Sequence, residues 1–432
     1  METLNVALFG FGTIGTGVAK LLFNHKDRII RVTGKNVCLV KICDTNITGT
    51  RDVDVPRGVL TTDADSIFND PNIHIGIELI GGLEPARTFV LRLLESGKDV
   101  ITANKALLAQ HGAELFNAAR KYNRTIAFEA SVCGGIPLLN ALQTALQANS
   151  FQSITAIVNG TCNYILSQME SGKTAYKDAV AQAQKLGYAE ADPAMDVNGT
   201  DSAQKLAILA QIAFGASADW QLIPRTGIEA VDAIDFRYAK ELGYRIKLLA
   251  AAVRSTEGLE LHVSPTLVKA DNPLAKVRDA FNAVRAVGDA VGPVFFQGLG
   301  AGQMPTASAV VGDIIDTVLG RTAITFRTLN LWKTEQAAVL KSPNEFFGKS
   351  YLRFKVEDQP GVMHEITGIL GKQNISIASM IQHEPDEESP HDDAVLILTT
   401  HECREGGLLT AIETLESLPA VLGKVVRLRV QR

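Results

Sequence analysis

The sequence lacks the features that mark several broad classes of protein. Its five cysteines are scattered and form no CxxC pair, so neither a disulfide framework nor a zinc site is predicted. No basic run stands out and the formal net charge is −5, which argues against nucleic-acid binding. No apolar run approaches the ~18 residues of a membrane-spanning helix, and the first residues lack the pattern of a signal peptide. We therefore expect a cytoplasmic protein with reduced thiols and without a membrane or nucleic-acid partner.

The overall composition is that of an ordinary globular protein. The chain has 432 residues, of which 46% are hydrophobic and 21% are charged. A chain of this length has room for about two to four domains with sizeable cores.

A glycine-rich turn near the N-terminus predicts a dinucleotide site. The apolar run 4–9 predicts a strand, GFGTIG follows at 10–15, and 16–23 has a helical pattern. The first glycine allows the tight turn, the second lets the backbone approach a pyrophosphate, and the third permits close packing of helix on strand. The alternative is a glycine-rich turn in another α/β protein. The predicted cofactor-binding residues are Gly10, Phe11, Gly12, Thr13, Ile14 and Gly15.

The second predicted strand, 37–43, ends at an acidic residue. Asp44 is placed to hydrogen-bond the adenosine ribose of a dinucleotide. It comes later than the usual spacing of about 20 residues. We interpret the charged stretch 24–36 as a loop insertion that accounts for the delay.

Further strands alternate with helical patterns, which predicts a parallel, doubly wound sheet. Strands are predicted at 75–80, 99–102 and 126–129, and helices at 85–95 and 112–122. Thr102 and Lys105 follow the strand 99–102, and the carboxyl ends of such strands face the ligand crevice. Both are therefore candidate site residues, although a lysine is often simply solvated.

An acidic block at 185–205 ends in a lysine at the start of an apolar helix. Asp201 precedes Lys205 by one helical turn, so the two share a helix face. Carboxylates facing a lysine suggest recognition of an amine-bearing substrate together with proton transfer. The alternative is a solvated helix start capped by Asp201 or Thr200. The carboxylates of the block are Glu190, Asp192, Asp196 and Asp201.

Segments 152–158 and 259–268 of the middle part are predicted to be strands, and 240–253 between them a strand or a helix.

The C-terminal part predicts a small α+β domain. Residues 321–349 are predicted to form a polar linker. The order of strands and helices after residue 350 is βαββαβ, and with DQPGV at 358–362 and NISI at 374–377 it resembles the ACT domain, a regulatory module for small ligands.

Several motifs in order make the chain similar to the homoserine dehydrogenase family with a C-terminal ACT domain. This resemblance implies a Rossmann-type doubly wound nucleotide-binding domain, an α+β substrate and dimerisation domain, and a βαββαβ ACT domain. The implied bounds are 1–135 plus 305–320, 136–304, and 350–432 after the linker. The motifs are GFGTIGTGV (10–18), TANKALLA (102–109), EASVCGGIP (129–137), NGTCNYIL (159–166), LGYAEADPAMDVNGTDSAQKLAIL (186–209) and GAGQMPTASAV (300–310).

The resemblance also implies a reaction and its residues. The reaction is the NAD- or NADP-dependent interconversion of L-homoserine and L-aspartate 4-semialdehyde, in the biosynthesis of threonine, methionine and isoleucine. The family's proton donor falls on Lys205, with Lys105 near the nicotinamide and the substrate, and either lysine could deliver the proton. Substrate binding falls on Glu190, Asp196 and Asp201. A monovalent cation, expected to be sodium, is implied on the main-chain carbonyls of Glu129, Val132, Gly134 and Ile136.

The lysine chemistry agrees with what the residues can do. An alkoxide that forms at an aldehyde carbon needs positive charge and a proton, and a lysine supplies both if desolvation or a neighbouring cation lowers its pKa. None of the eight histidines lies in the motifs, and no metal is needed as a Lewis acid.

One departure from the family concerns the nucleotide. Members that favour NADP commonly carry an arginine before the aspartate that ends the second strand, whereas here Cys43 stands there. Without that guanidinium a 2′-phosphate loses a bidentate partner, so we predict a preference for NAD. Lys41, Arg51 or Arg57 could replace the missing arginine. Cys133 also stands where glycine is usual.

The resemblance to ACT domains implies regulation and assembly. Threonine is the expected effector, and the predicted regulatory residues are Asp358, Gly361, Val362 and Asn374. A homodimer or homotetramer is expected because the sheet edges of such domains usually pair with a second copy. The alternative is a domain used only for dimerisation.

Two other functions are alternatives to the homoserine dehydrogenase reaction. Another amino-acid dehydrogenase on the same platform would have no reason for the whole 190–205 block. A sensor of nucleotide and amino acid without catalysis would not need Lys205.

Overall fold

The computed structural model describes residues 1–172, 174–333, 339–383 and 393–431. Its strands, in chain order, are β1 (Thr3–Phe9), β2 (Asn36–Cys43), β3 (Leu60–Thr61), β4 (Ile73–Glu78), β5 (Asp99–Thr102), β6 (Ile126–Ala127), β7 (Phe151–Ile157), β8 (Tyr244–Ser255), β9 (Gly258–Lys269), β10 (Phe281–Gly288), β11 (Gly292–Leu299), β12 (Phe347–Glu357), β13 (Ile377–Gln382), β14 (Asp393–Thr400), β15 (Cys403–Arg404) and β16 (Val426–Val430).

The helices lie between these strands. They are α1 (Thr13–Asn24), α2 (Lys26–Thr33), α3 (Asp65–Phe68), α4 (Ala86–Glu95), α5 (Lys105–Lys121), α6 (Leu138–Asn140), α7 (Gly160–Glu170), α8 (Tyr176–Lys185), α9 (Ala194–Val197), α10 (Thr200–Phe214), α11 (Ala233–Glu241), α12 (Gln303–Val318), α13 (Arg321–Leu329), α14 (Val362–Lys372) and α15 (Glu405–Glu416). Within the described residues, no helix has both the length and the apolar character needed to cross a membrane.

Contacts between residues divide the chain into two units. The first comprises Met1–Gln152, Ala203–Leu222 and Phe281–Ala338, and the second comprises Ser153–Ser202, Ile223–Ala280 and Val339–Arg432. The domain bounds predicted from the sequence follow motifs rather than contacts, and they stay a prediction.

The first unit contains a six-stranded parallel sheet in the order β3-β2-β1-β4-β5-β6. This is the strand order of a dinucleotide-binding fold, with the order reversing beside β1. Val6 and Leu8 of β1, Val18 of α1, and Val310 and Ile314 of α12 are buried in the same apolar core. The predicted Rossmann-type sheet is therefore confirmed, and α12 returns late in the chain to pack on it.

The stretch 24–36, predicted to be a loop insertion, is instead largely helical. Helix α2 occupies Lys26–Thr33 and ends at Gly34, whose φ of 70° is left-handed. It buries Ile29 and Thr33 and exposes its charged residues. Because only two side chains of this helix are buried, its sequence is dominated by charged residues and lacks a clear apolar helical pattern. This is why the stretch was wrongly predicted to be a loop.

The second unit contains a sheet in which β7, β8 and β9 are consecutive antiparallel neighbours. The segment 240–253, predicted as a strand or a helix, forms strand β8 from Tyr244 onward. In the first unit, β10 and β11 form an antiparallel hairpin that was not predicted.

The predicted βαββαβ domain is confirmed as β12-α14-β13-β14-α15-β16, with the short strand β15 added before α15. Its strands lie in the order β16-β12-β14-β13 and are antiparallel. Leu352, Phe354, Ile366 and Leu396 are fully buried in its core. Strand β16 also pairs in parallel with β9, so this small sheet continues into the rest of the unit.

The predicted linker 321–349 is not wholly irregular, since helix α13 occupies Arg321–Leu329. Residues 334–338 of that linker lie outside the described residues, as do 384–392 and 432 of the predicted ACT domain.

Candidate active site

The glycine turn after β1 forms a cradle built from main-chain atoms. Gly10 has a φ of 94°, and a Cβ there would lie 2.5 Å from the carbonyl oxygen of Leu79. A Cβ on Gly15 would lie 2.1 Å from the Gly10 oxygen, so α1 packs directly on the turn. Gly12, by contrast, has open space, because a Cβ there would meet nothing within 4 Å.

The first turn of α1 is suited to an anion. Gly12 is its N-cap residue and no side chain caps the helix, so the amides of Thr13 and Ile14 point from the helix start without a side-chain acceptor. Helix N-termini with unsatisfied amides favour phosphate. The open space at Gly12 and these amides together fit the pyrophosphate of a dinucleotide.

Asp44 lies beside this turn, as predicted for a ribose-binding residue. Its carboxylate accepts hydrogen bonds from the main-chain N–H of Phe11 (2.5 Å) and of Asn46 (2.8 Å). The contact with Phe11 places the end of β2 against the glycine turn. A carboxylate in this position can also accept from ribose hydroxyls, because each of its oxygens takes more than one hydrogen bond.

Arg51 is the candidate that could replace the missing arginine at position 43. Its guanidinium donates to the carbonyl oxygens of Phe11 (2.9 Å), Gly49 (2.6 Å) and Asn46 (2.8 Å). It also lies 5.1 Å from the centre of the Phe11 ring. Arg51 therefore places a positive charge next to the Asp44 loop. Lys41 instead donates to the Gly58 carbonyl oxygen at 3.1 Å.

A buried network stands beside Lys105 at the ends of β4 and β5. Glu78, fully buried, accepts from the Thr102 hydroxyl (2.6 Å) and the Ile80 amide (2.8 Å). The Thr102 hydroxyl oxygen accepts from the Asn104 amide at 3.0 Å, and Asn104 caps helix α5. Lys105 is the first residue of that helix. The network therefore fixes the backbone from which Lys105 projects.

Glu78 and Asn104, which were not predicted from the sequence, hold the start of α5 in place. The only sequence signal for Glu78 is an acidic residue closing an otherwise apolar strand. Asn104 lies inside the TANK motif, immediately before the lysine.

The loop predicted to bind a cation has an unusual backbone. Cys133 has a φ of 54°, in the left-handed region that favours glycine. The Ile136 carbonyl oxygen, a predicted ligand, accepts from the Leu138 amide at 2.7 Å. A cavity of about 560 Å³ borders Glu129, Gly134 and Ile136. Among the described residues no group of three or more His, Cys, Asp or Glu is arranged to hold a metal.

Glu129 also uses its side chain, which the prediction did not consider. The carboxylate accepts from the amides of Leu139 (2.9 Å) and Asn140 (2.6 Å), at the start of α6. The Glu129 amide in turn donates to Asp313 of α12 at 2.9 Å. Burial raises the pKa of Glu129 to about 7, and burial together with Glu129 raises the pKa of Asp313. This pair ties the loop that is predicted to bind a cation to α12.

In the second unit, the side chain of Asn159 joins two predicted substrate-binding carboxylates. Its amide nitrogen donates to Asp196 and to Asp201, both at 2.8 Å. Its amide oxygen accepts from Cys162 at 2.8 Å and caps helix α7. Asn159 and Asp201 are 5% and 4% exposed, so the amide holds one buried and one accessible carboxylate at a fixed separation.

At the start of α10 this geometry contradicts the alternative of a solvated helix start capped by Asp201 or Thr200. Thr200 is the first residue of α10 and Asp201 follows it within the first turn, so neither is the N-cap. The Thr200 amide donates to the Asn198 side chain at 2.9 Å, and the Asp201 carboxylate is buried on Asn159. Asn159 was not predicted as a site residue, although it opens the NGTCNYIL motif.

The other residues of the block are placed differently. The Glu190 side chain is exposed, and its main-chain oxygen accepts from Gln184 at 3.2 Å. The Thr161 hydroxyl donates to the Tyr188 carbonyl oxygen at 2.5 Å, which anchors the loop before Glu190. Lys205 is partly buried in α10, one turn after Asp201.

The predicted regulatory residues lie at the two ends of α14. Gly361, with a φ of 103°, precedes the helix, and Val362 is its first residue and part of the apolar core. Asn374 follows the helix with a φ of 56°. The Asp358 carboxylate accepts from Gln382 of β13 at 3.4 Å.

Comparison with known proteins assigns each part of the chain. Family models described as "Homoserine dehydrogenase, NAD binding domain", "Homoserine dehydrogenase" and "ACT domain" match residues 10–129, 137–315 and 350–420. A homoserine dehydrogenase of Pseudomonas aeruginosa is 40% identical over 446 aligned positions, covering 100% of both chains.

Solved structures agree with the sequence relatives. A homoserine dehydrogenase from Thiobacillus denitrificans superposes with a TM-score of 0.91 at 40% identity, covering 100% of this chain and 99% of the other. A hyperthermophilic archaeal homoserine dehydrogenase in complex with NADPH superposes with a TM-score of 0.62 at 27% identity, covering 74% of this chain and 98% of the other.

Proposed function

Because the chain belongs to the homoserine dehydrogenase family, whose members are oxidoreductases, we propose that it interconverts L-homoserine and L-aspartate 4-semialdehyde through the residues described above. The resemblance inferred from the motifs is confirmed by these matches, as is the C-terminal ACT domain. The observation that carries the proposed site is the convergence of Asp196 and Asp201 on the Asn159 amide.

The nucleotide is held mainly by the backbone in this proposal. The α1 amides and the space at Gly12 receive the pyrophosphate, and Asp44 receives the ribose. The bound nicotinamide supplies or accepts the hydride. The cofactor is NAD or NADP, with NAD preferred because Asp44 faces the ribose and Cys43 replaces the arginine.

The substrate is held by its ammonium group. Asp196 and Asp201 lie at a separation set by Asn159, and carboxylates are the groups that bind an ammonium through charge-assisted hydrogen bonds. Glu190, on an exposed loop anchored through Thr161 and Gln184, is the third carboxylate proposed to bind substrate.

The proton is moved by a lysine. As homoserine is oxidised, its hydroxyl proton passes to a lysine Nζ, and a hydride passes from the carbon that bears the hydroxyl to the nicotinamide. In the reduction, the proton and the hydride return to that oxygen and that carbon. Lys205 is the proposed acid and base, and Lys105, fixed by the Glu78 network, is the proposed second cation at the reacting oxygen. Either lysine could deliver the proton.

The test is the initial rate of L-homoserine-dependent reduction of NAD⁺ and NADP⁺. Lys205→Ala and Lys105→Ala are compared with wild type, and Lys185→Ala, an exposed lysine at the end of α8, is the control. Loss of a general acid or base should lower kcat by roughly 10²–10⁴-fold, while the control keeps full activity.

Each other outcome points to a different function. Absence of wild-type turnover with both nucleotides would overturn the proposed reaction and favour the non-catalytic sensor. Faster turnover of another amino acid, such as aspartate, would favour a different dehydrogenase.

We also propose a monovalent cation, sodium, at the carbonyl oxygens of Glu129, Val132, Gly134 and Ile136. The left-handed backbone at Cys133 and the adjoining cavity support this placement. Replacing sodium by tetramethylammonium should lower the thermal unfolding midpoint as well as the rate. An unchanged midpoint and rate would contradict a bound cation.

Regulation is proposed to act through the ACT domain. Threonine is the proposed effector, consistent with the branch of biosynthesis leading to threonine, methionine and isoleucine, and a homodimer or homotetramer is the proposed assembly. The residues at the ends of α14, Asp358, Gly361 and Asn374, are exposed enough to meet a ligand, whereas Val362 is largely core. If threonine at millimolar concentration neither binds nor inhibits, regulation by threonine is wrong.

A further inference from the structure

A second cavity lies within the second unit, where the ACT domain meets strand β9. Its volume is about 430 Å³, and none of its lining residues belongs to the proposed active site. One wall comes from α15 and β16, and another from the segment 224–227 and from β9. The parallel pairing of β16 with β9, Arg429 opposite Thr266, holds these walls together.

The lining carries an excess of positive charge. Arg225, Arg427 and Arg429 border the cavity, and the only carboxylate among its lining residues is Glu405. Arg427 donates to Glu405 through both terminal nitrogens, and Arg429 donates to it at 2.9 Å. Among the lining residues, one buried carboxylate therefore stands against three guanidinium groups, which are suited to bind a further carboxylate.

The rest of the cavity lining includes both hydroxyl-bearing and aliphatic side chains. The Ser264 and Thr226 hydroxyls offer hydrogen bonds, whereas Val231, Leu409 and Ile412 are apolar. Arginines beside aliphatic side chains match a small molecule with a carboxylate at one end and a short apolar chain at the other.

The segment 224–228 connects this cavity to the substrate carboxylates. Thr226 donates its amide to the Val263 carbonyl oxygen at 2.9 Å, on the cavity side. Ile228 donates its amide to the Val197 carbonyl oxygen at 2.9 Å, between Asp196 and Asp201 in the chain. A Cβ on Gly227 would lie 2.3 Å from that same oxygen, so the segment packs closely against Val197.

We propose that this cavity binds a small organic carboxylate with an apolar chain, and that its occupancy changes the affinity of the Asp196 and Asp201 pair for homoserine. The second half of this statement rests on the proposed function, and the first does not. A coupling of ordinary size changes an affinity by about fivefold or more.

Calorimetric titration of the full-length protein with 3-methylbutanoate tests binding, and the neutral 3-methylbutanamide is the matched probe. The carboxylate should bind and the amide should not. Arg225→Gln should weaken binding at least about fivefold, and Leu409→Trp, which fills the cavity, should abolish it. Arg254→Gln, an exposed arginine of β8 outside the lining, is the control and should bind as wild type does.

Saturating L-homoserine separates this cavity from the active site. The carboxylate should still bind in its presence, and the KM for homoserine should shift in wild type but not in Leu409→Trp. Displacement by homoserine, equal binding of the amide, or binding unaffected by Arg225→Gln and Leu409→Trp would each overturn the proposal. Binding of inorganic phosphate without binding of the carboxylate would overturn the ligand class. If the protein turns over no homoserine, the titrations still decide the binding site.

Discussion

The glycine turn of the first unit and the carboxylate pair of the second are two proposed sites that are built in opposite ways. The turn offers main-chain amides at the start of α1, and its glycines remove side chains where the backbone must come close. The pair offers Asp196 and Asp201, held by the side chain of Asn159. The first site depends on main-chain atoms that glycines leave accessible. The second depends on side chains that the fold brings together from distant positions in the chain.

This difference predicts how each site fails. In a main-chain site, an added side chain should cause a steric conflict. Depending on which glycine is replaced, the conflict should lower either the stability of the fold or the affinity for the nucleotide. A side-chain site should lose affinity while the fold persists. Four experiments, ordered from the largest expected effect to the smallest, can break or sharpen this contrast.

The second and third glycines of the turn should respond differently to substitution by alanine. Gly15→Ala places a Cβ 2.1 Å from the Gly10 oxygen, so it should lower the free energy of unfolding by about 3 kcal/mol. Gly12→Ala meets open space at a φ of −77°, so stability should stay near wild type while nucleotide affinity falls at least about tenfold. Urea denaturation and nucleotide titration measure the two effects.

Gly368→Ala in α14, also with nothing within 4 Å, is the control and should leave nucleotide affinity unchanged. Loss of stability in Gly12→Ala equal to that in Gly15→Ala would show that both glycines serve the fold alone.

The amide of Asn159 should matter for substrate and little for nucleotide. Asn159→Ser keeps a side chain able to cap α7 but removes the donors to Asp196 and Asp201. The KM for homoserine should rise by roughly 10–100-fold, since each hydrogen bond to a charged group contributes about 1.5–3 kcal/mol. Steady-state kinetics at saturating nucleotide, with exposed Asn117→Ser as control, measure this. A change confined to kcat would argue against a role in holding the ammonium site.

Glu129 belongs to both kinds of site, because its main chain is a proposed cation ligand and its side chain caps α6. Its pKa, raised by burial from 4.5 to about 7, favours the protonated form in the folded protein. Its contribution to the free energy of unfolding is therefore complete below pH 4.5 and lost as pH rises through about 7. Glu129→Gln should flatten the fall in stability seen by urea denaturation between about pH 5 and about pH 8. An identical fall in the variant would assign it to Asp313, whose pKa is raised in the same direction.

The smallest effect concerns the choice of nucleotide. The ratio of kcat/KM for NAD⁺ to that for NADP⁺ should exceed one, and Arg51→Ala should lower kcat/KM with NADP⁺ about fivefold more than with NAD⁺, since a guanidinium beside Phe11 favours a 2′-phosphate. Lys41→Ala is the matched control. Comparable turnover with NADP⁺ at a clearly lower KM would contradict the NAD preference, and equal losses with both nucleotides would assign Arg51 to the loop alone.

The same contrast explains what the sequence could predict. Gly10, Gly12 and Gly15 lie in one short turn between an apolar run and a helical pattern, so local sequence alone indicated the cradle and the strand before it. Asn159 reaches Asp196 and Asp201 across 37 and 42 residues, and Asp313 reaches Glu129 across 184. Such convergence depends on tertiary packing, so the motifs supplied the carboxylates while the residue that joins them was missed.

Errors in the fold arose where burial is slight. Helix α2 buries Ile29 and Thr33 among charged residues, and it was read as a loop. In β11, partly exposed and fully exposed positions alternate along the whole strand and none is buried, so the hairpin that it forms with β10 gives only a weak apolar signal in the sequence. Strand β1, whose last four residues are buried, was placed to within one residue.

The position of β16 has a consequence for how the chain is made. This strand, the last in the sequence, lies between β9 and β12 in the sheet of the second unit. During synthesis, β9 and β12 leave the ribosome long before the strand that separates them, so each waits with an open edge. A chain that stops before residue 426 would present two unprotected strand edges, which are templates for aggregation. The gap between β9 and β12 is therefore filled only once residues 426–430 have been added.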